Sequence, residues 1–196
     1  MLKKKRKINK IVSIVIAIAM LLAAMVVDLP NGSSEVKAAS TPWLTFRVHV
    51  ENRGWYGDHC TAALYPQQDY VFGTVGQALR IEAIQMGVDR GDYTGEIHLM
   101  VRYFDNTTCT ITKEITGTDR RESMFMSGVC GTTGISKPIE AVKIWFTGEF
   151  NQHYGVKYAA HCQNDGWHGI TYQGGWAGTR GRDLRLEAIH LYFFVR

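Results

Sequence analysis

The chain has 196 residues, with 22 Lys+Arg against 18 Asp+Glu and a formal net charge of +4. Seven of the basic and two of the acidic residues fall within the first 38 positions, leaving 15 against 16 for residues 39–196, so the surplus is local and gives no electrostatic footprint for nucleic-acid binding. All 22 aromatic residues lie in those remaining 158, a length that suits one domain with a sizeable core and a composition that suits β-structure.

The N-terminus reads "MLKKKRKINK", then a charge-free run from Ile11 to Val27, then "DLPNGSSEVKAAS". A basic segment, an apolar segment and a small-residue site of the Val36-Lys37-Ala38 type are the layout of a secretory signal peptide over residues 1–38. Cleavage after Ala38 or Ala39 releases an extracytoplasmic domain of residues 39–196. The alternative is an uncleaved anchor, which is the one route by which the sequence suggests membrane contact.

Beyond that segment the chain repeats itself. "LTFRVHVE" (44–51) alternates as a β-strand and leads into His49-x-x-Asn52-x-Gly54-Trp55, after which "GTVGQALRIEAI" runs from Gly73 to Ile84. "EIHLMVRYF" (96–104) and "GTTGISKPIEAV" (131–142) form a weaker second copy, with Phe104 expected at the Trp place near His98 and Pro138 at an Arg place. "VKYAAH" (156–161), His161-x-x-Asn164-x-Gly166-Trp167 and "GTRGRDLRLEAI" (178–189) form the third. In every copy the Gly pair is spaced by three, and a Glu (Glu82, Glu140, Glu187) follows the first Gly by nine.

The apolar alternation slips phase after Ala83, Ala141 and Ala188, which predicts a β-bulge in each of three strands. No long stretch has a helical period. The expected fold is all-β, a single domain of three pseudo-symmetric repeats that share one core, β-prism-like or alternatively a β-trefoil.

"VHVENRGW" with "GTVGQALRIEAI", and "HCQNDGW" with "GTRGRDLRLEAI", resemble the clostridial hydrophobic repeat with a signature tryptophan, the ChW repeat. The resemblance spans nearly all of residues 39–196 as three units, the second one degenerate. It implies an exported protein of clostridia-like bacteria, of a kind linked to cell-surface adhesion or glycan binding.

Trp55 with Tyr56 and Asp58, Trp167 with His168, and Trp176 in "QGGWAGTRG" are the candidate ligand-binding residues. A flat ring beside hydrogen-bonding groups is how a protein grips a sugar. The competing role for Trp55 and Trp167 is that of a core or corner plug, and Trp176, read as part of a variable loop, is expected to be the most exposed. The Arg80-x-Glu82 and Arg185-x-Glu187 pairs read as surface ion pairs or as the floor of a polar pocket.

Four cysteines permit two disulfides, with Cys109 to Cys130 and Cys60 to Cys162 the favoured pairing. Adjacent His and Cys at 59–60 and 161–162 do not match the spaced ligand pairs of a structural zinc site, and no cofactor is implied. Catalytic motifs are missing. The expectation is therefore a secreted or surface-associated, non-enzymatic module contacting a glycan or another cell-surface component. The alternatives are a host-protein-binding adhesin or immunomodulator and, more remotely, a polysaccharide hydrolase.

Overall fold

The computed structural model describes residues 42–61, 70–89, 92–116 and 128–196, the side chains of 58–61, 89 and 116 excepted. The expected signal segment over 1–38 lies outside the described residues. Among the described residues the architecture is all-β, built from antiparallel strands with a single four-residue helical turn, α1 (Phe150–His153).

The strands follow the repeats. The first unit supplies β1 (Trp43–Val50), β2 (Gly54–Thr61), β3 (Tyr70–Gly73) and β4 (Ile81–Asp89). The second supplies β5 (Thr94–Tyr103), β6 (Thr108–Thr116), β7 (Cys130–Gly131) and β8 (Ile139–Gly148). The third supplies β9 (Tyr154–Cys162), β10 (Gly166–Trp167), β11 (Thr171–Tyr172), β12 (Trp176–Gly178) and β13 (Leu186–Val195).

Three separate sheets result, and none is made from one unit alone. The first has the order β2-β1-β4-β7, the second β6-β5-β8-β12 and the third β10-β9-β13-β3, with β11 also pairing to β9. Each unit thus keeps most of its strands and gives the short strand before its last one to the edge of another unit's sheet. The second unit gives to the first, the third to the second, and the first to the third, so the exchange closes on itself.

The donated strand ends on the first Gly of the GTxG phrase, and the reason for Gly is steric. Gly73, Gly131 and Gly178 have φ of 109°, 133° and 105°. A Cβ at any of them would overlap the carbonyl of Glu187, Glu82 or Glu140 respectively. The next residue completes the contact through its amide: Thr74 N–H donates to the Glu187 carbonyl at 2.8 Å, Thr132 to Glu82 at 2.9 Å and Thr179 to Glu140 at 3.1 Å.

The Glu residues are themselves the bulges. Pairing of β4 to β1 passes from His49↔Ala83 to Val50↔Ile81, of β8 to β5 from Arg102↔Ala141 to Tyr103↔Ile139, and of β13 to β9 from His161↔Ala188 to Cys162↔Leu186. The residue skipped is Glu82, Glu140 or Glu187. The irregularity expected after Ala83, Ala141 and Ala188 therefore falls earlier, on the Glu. The apolar run Ile-Glu-Ala-Ile is buried on both faces, so alternation alone could not place it.

Inward-facing residues meet as threefold sets around one core. Phe46, Leu99 and Tyr158 occupy equivalent places, as do Ile84, Val142 and Ile189, and Val88, Phe146 and Phe193, all of them buried. Tyr158 is the polar member of its set and is satisfied: its hydroxyl accepts from Ile144 N–H at 2.8 Å and donates to the Gly175 carbonyl at 2.6 Å, joining the third sheet to the second. Burial raises its pKa, which keeps the hydroxyl a donor.

The expected disulfides are corrected. Cys109, Cys130 and Cys162 are free thiols. Cys130 is fully buried on β7, with its Sγ directed at the Cys109 carbonyl at 2.8 Å and the Leu99 carbonyl at 3.8 Å. Cys162 is fully buried on β9 of the third sheet, whereas Cys60 belongs to β2 of the first sheet, its side chain outside the described residues.

Replacing Gly131 by Ala is expected to lower stability by about 2 kcal/mol or more, because positive φ and backbone overlap act together. Gly134→Ala, at φ 79° with open space around the added methyl, should cost about 1 kcal/mol. Denaturant midpoints of the two variants test the contrast.

Candidate functional site

Strand pairing builds the same cluster twice. On the outer face of the first sheet Trp55 is directly opposite His49, and His49 is opposite Ala83. On the third sheet Trp167 is opposite His161, and His161 is opposite Ala188. The indole meets the imidazole edge-on in both, with centroids 5.4 Å apart at 76° in the first and 5.3 Å apart at 78° in the third.

Behind each imidazole is the buried bulge carboxylate. His49 Nδ1 is 3.2 Å from Glu82 Oε2, and His161 Nδ1 is 3.4 Å from Glu187 Oε2. The partner Arg closes the cluster: Arg80 Nε donates to Glu82 Oε1 at 3.0 Å, and Arg185 Nη2 to Glu187 Oε1 at 3.1 Å. These arginines also cross to the next unit. Arg80 reaches Ser136 Oγ at 2.8 Å, and Arg185 reaches the Ala78 carbonyl at 2.9 Å. They are seam residues with buried partners rather than routine surface pairs.

Trp55 and Trp167 are 36% and 43% exposed. They stand on the outside of their sheets and are not core plugs. Tyr56 is also exposed, but strand alternation turns it to the opposite side of β2 from Trp55. Asp58 has its side chain outside the described residues. His168 Nε2 is engaged with Asp165 Oδ2 at 2.9 Å, and Arg182 shares that oxygen at 2.6 Å.

Trp176 departs from the expectation of an exposed loop. It is half-buried on β12, opposite Lys143 at the edge of the second sheet, and so belongs to a different face from Trp55 and Trp167. Nor can the adjacent His161 and Cys162 share a ligand, because the strand sends His161 outward and Cys162 into the core.

The middle unit lacks the cluster, and its register differs from the one expected. Arg102, not His98, is opposite Ala141, and Thr108, not Phe104, is opposite Arg102 and takes the Trp place. The turn keeps the spacing of the other units, since Thr108 follows Arg102 by six residues as Trp55 follows His49 and Trp167 follows His161; the expected His98–Phe104 pair is displaced from the true one by four residues. His98 instead stacks on Trp145, with centroids 4.7 Å apart at 2°.

Glu140, fully buried, illustrates what holds the bulge carboxylates. Its Oε1 accepts from Arg182 N–H at 2.7 Å, Asp183 N–H at 3.1 Å and the Thr179 hydroxyl at 3.1 Å, all on the third unit's GTxG loop. Burial on its own would raise the pKa, but backbone donors from Gly181, Arg182 and Asp183 with the Thr179 hydroxyl outweigh it and hold the carboxyl below its ordinary 4.5.

The sequence profile of the family described as Clostridial hydrophobic W, ChW, matches residues 49–89 and 161–192. Two segments of the chain match the ChW repeat. The two matched segments are the two that hold the Trp-His-Glu-Arg cluster, and the unit between them has Arg102 and Thr108 instead. ChW repeats occur in surface-associated proteins, and among the described residues no helix is long and apolar enough to cross a membrane. No curated protein and no solved structure matches the chain.

A carboxylate with a depressed pKa stabilises the fold fully above its unfolded value and loses that contribution as pH falls through the folded value. Unfolding stability is therefore expected to decline below pH 4.5, and Glu140→Gln should lower it by about 1.5–3 kcal/mol at pH 7 while flattening the acid decline. Denaturant titrations of both proteins at neutral and acid pH check this.

Proposed function

We propose that this ChW-repeat protein is a secreted or surface-associated, non-enzymatic binding module that recognises glycan through tryptophans on the outer faces of its sheets. One observation carries the reading: two repeats hold an indole in the same posture, half out of the surface, fixed edge-on by an imidazole that a buried carboxylate backs. A ring held rigid before the ligand arrives loses little conformational freedom on binding. Its flat face offers apolar contact to the C–H side of a sugar, while neighbouring polar groups can take hydroxyls.

The non-enzymatic part draws support from the three repeated carboxylates. Glu82, Glu140 and Glu187 each serve a seam between units, with Oε1 of Glu140 taken up by backbone donors of the next unit's loop and Oε2 3.6 Å from Arg102 Nε. Export follows from the N-terminal layout and accords with the surface association of proteins bearing these repeats.

Binding to a glycan array or to polysaccharide from a bacterial cell wall tests the reading. The wild-type chain is expected to be retained, and the double variant Trp55→Ala/Trp167→Ala to be retained at least tenfold less with its thermal unfolding little changed. Equal retention of the two would remove the tryptophans from the binding role. Loss of the partner on protease treatment but not on deglycosylation would replace the glycan by a protein, the host-binding adhesin reading.

A further inference from the structure

We propose that the two ChW faces are unequal: the outer face of the third sheet accepts ligand, a polysaccharide whose sugars bear carboxylates, while the first face is closed by one of its own side chains. The inference rests on the glycan reading above and names where and which glycan.

The difference lies two residues before the histidine. In the first unit that position is Arg47, whose guanidinium is 4.6 Å from the centroid of the Trp55 ring. Its Nε donates to Gln85 Oε1 at 2.6 Å, which pins the cation over the indole. A sugar stacking there must displace both a cation–π contact and a charge-assisted hydrogen bond. In the third unit the same position is Ala159, a buried methyl that carries no cation to set over Trp167.

The residues beside it differ in the same sense. Gln85 is replaced by His190, whose ring is 5.8 Å from Trp167, and Gly87 by Tyr192, whose ring is 4.4 Å from His190. Tyr172, 65% exposed, stands opposite Lys157 at the β11 edge, and Lys157 Nζ is 4.8 Å from the Tyr192 centroid. An aromatic row therefore runs on from Trp167 where the first sheet has only Arg47, Gln85 and Gly87.

Charge complementarity selects the ligand class. In β3, β9, β10, β11 and β13 the one carboxylate is Glu187, which is buried and held by Arg185 and His161. Lys157 is an outward-facing cation among the rings. A neutral sugar would use the rings and leave the ammonium without a counter-charge, whereas a sugar carboxylate meets it, and such contact weakens with salt.

Calorimetry on the full chain tests this with short oligomers of galacturonate, alginate and hyaluronan and with their carboxyl-esterified, uncharged counterparts. The expected result is one site per chain for at least one acidic oligomer, weakened by added salt and at least tenfold weaker for the esterified form. Lys157→Met should weaken it at least tenfold, and Lys143→Met on the second sheet should leave it within twofold.

Ala159→Arg, which installs the side chain found on the first sheet, should also weaken binding at least tenfold; because Ala159 is buried, the thermal unfolding of this variant is measured beside its binding. Two equal sites per chain, or indifference to Ala159→Arg, would overturn the inequality of the faces. Equal affinity for acidic and esterified oligomers would overturn the charge claim and leave the glycan reading standing. No binding to any acidic or neutral sugar, on these oligomers or on the glycan array, would overturn both.

Discussion

The contact on which the rest depends is the docking of a Gly-Thr step from one unit against the bulged Glu of another. Each such contact sets a glycine without a Cβ against a carbonyl, lets the following threonine amide donate to it, and buries the Glu side chain behind. Individually these are ordinary interactions of about 1 kcal/mol. Their arrangement matters more, because first to third, second to first and third to second form a closed ring. No unit completes its own sheet, and the sheets whose outer faces carry Trp55 and Trp167 each take an edge strand from another unit. Removing one partner of a buried, hydrogen-bonded charge costs several kcal/mol, which explains why Glu140 is retained in the unit that has lost His, Trp and Arg: its carboxylate is supplied instead by the loop of the third unit.

Much of this was legible in the residues. The three GTxG phrases, the Glu nine residues on and the strands before them gave the threefold all-β organisation and the ChW resemblance. The purpose of the repeat, a strand given away rather than kept, was not legible, because strand exchange between units leaves no local signature. The bulge position was misjudged by one or two residues since Ile-Glu-Ala-Ile is buried on both faces and its Glu was read as a surface residue. The middle unit misled for a different reason. Thr108 follows Arg102 by the same six residues that separate Trp55 from His49 and Trp167 from His161, so the turn is not what differs; alternation along β5 could not say that Arg102 rather than His98 was the counterpart. Trp176 looked like a loop residue because its strand is three residues long.

Pseudo-symmetry then makes the differences informative. The inward sets, such as Phe46, Leu99 and Tyr158, vary in size together, as sharing a common core requires. Outward positions are free of that demand, and there the units diverge: Arg47, Met100 and Ala159 are equivalent in register yet unlike in chemistry. The scaffold fixes where an indole stands, while its neighbours decide whether its face is covered. Alternation along β9 and β13 would have placed Lys157, His190 and Tyr192 on the outer face from sequence alone, but nothing in a single strand says which of them an indole from β10 will meet.

The measurement that tests the account most directly is native-state hydrogen exchange at the amides of Thr74, Thr132 and Thr179, the three donors that close the ring. If each unit depends on the next, all three exchange only through global unfolding and report the same free energy, with the same dependence on denaturant. A markedly lower free energy at any one of them, with the others still protected, would show that the ring opens at that seam while the remaining units stay folded, and would contradict the account.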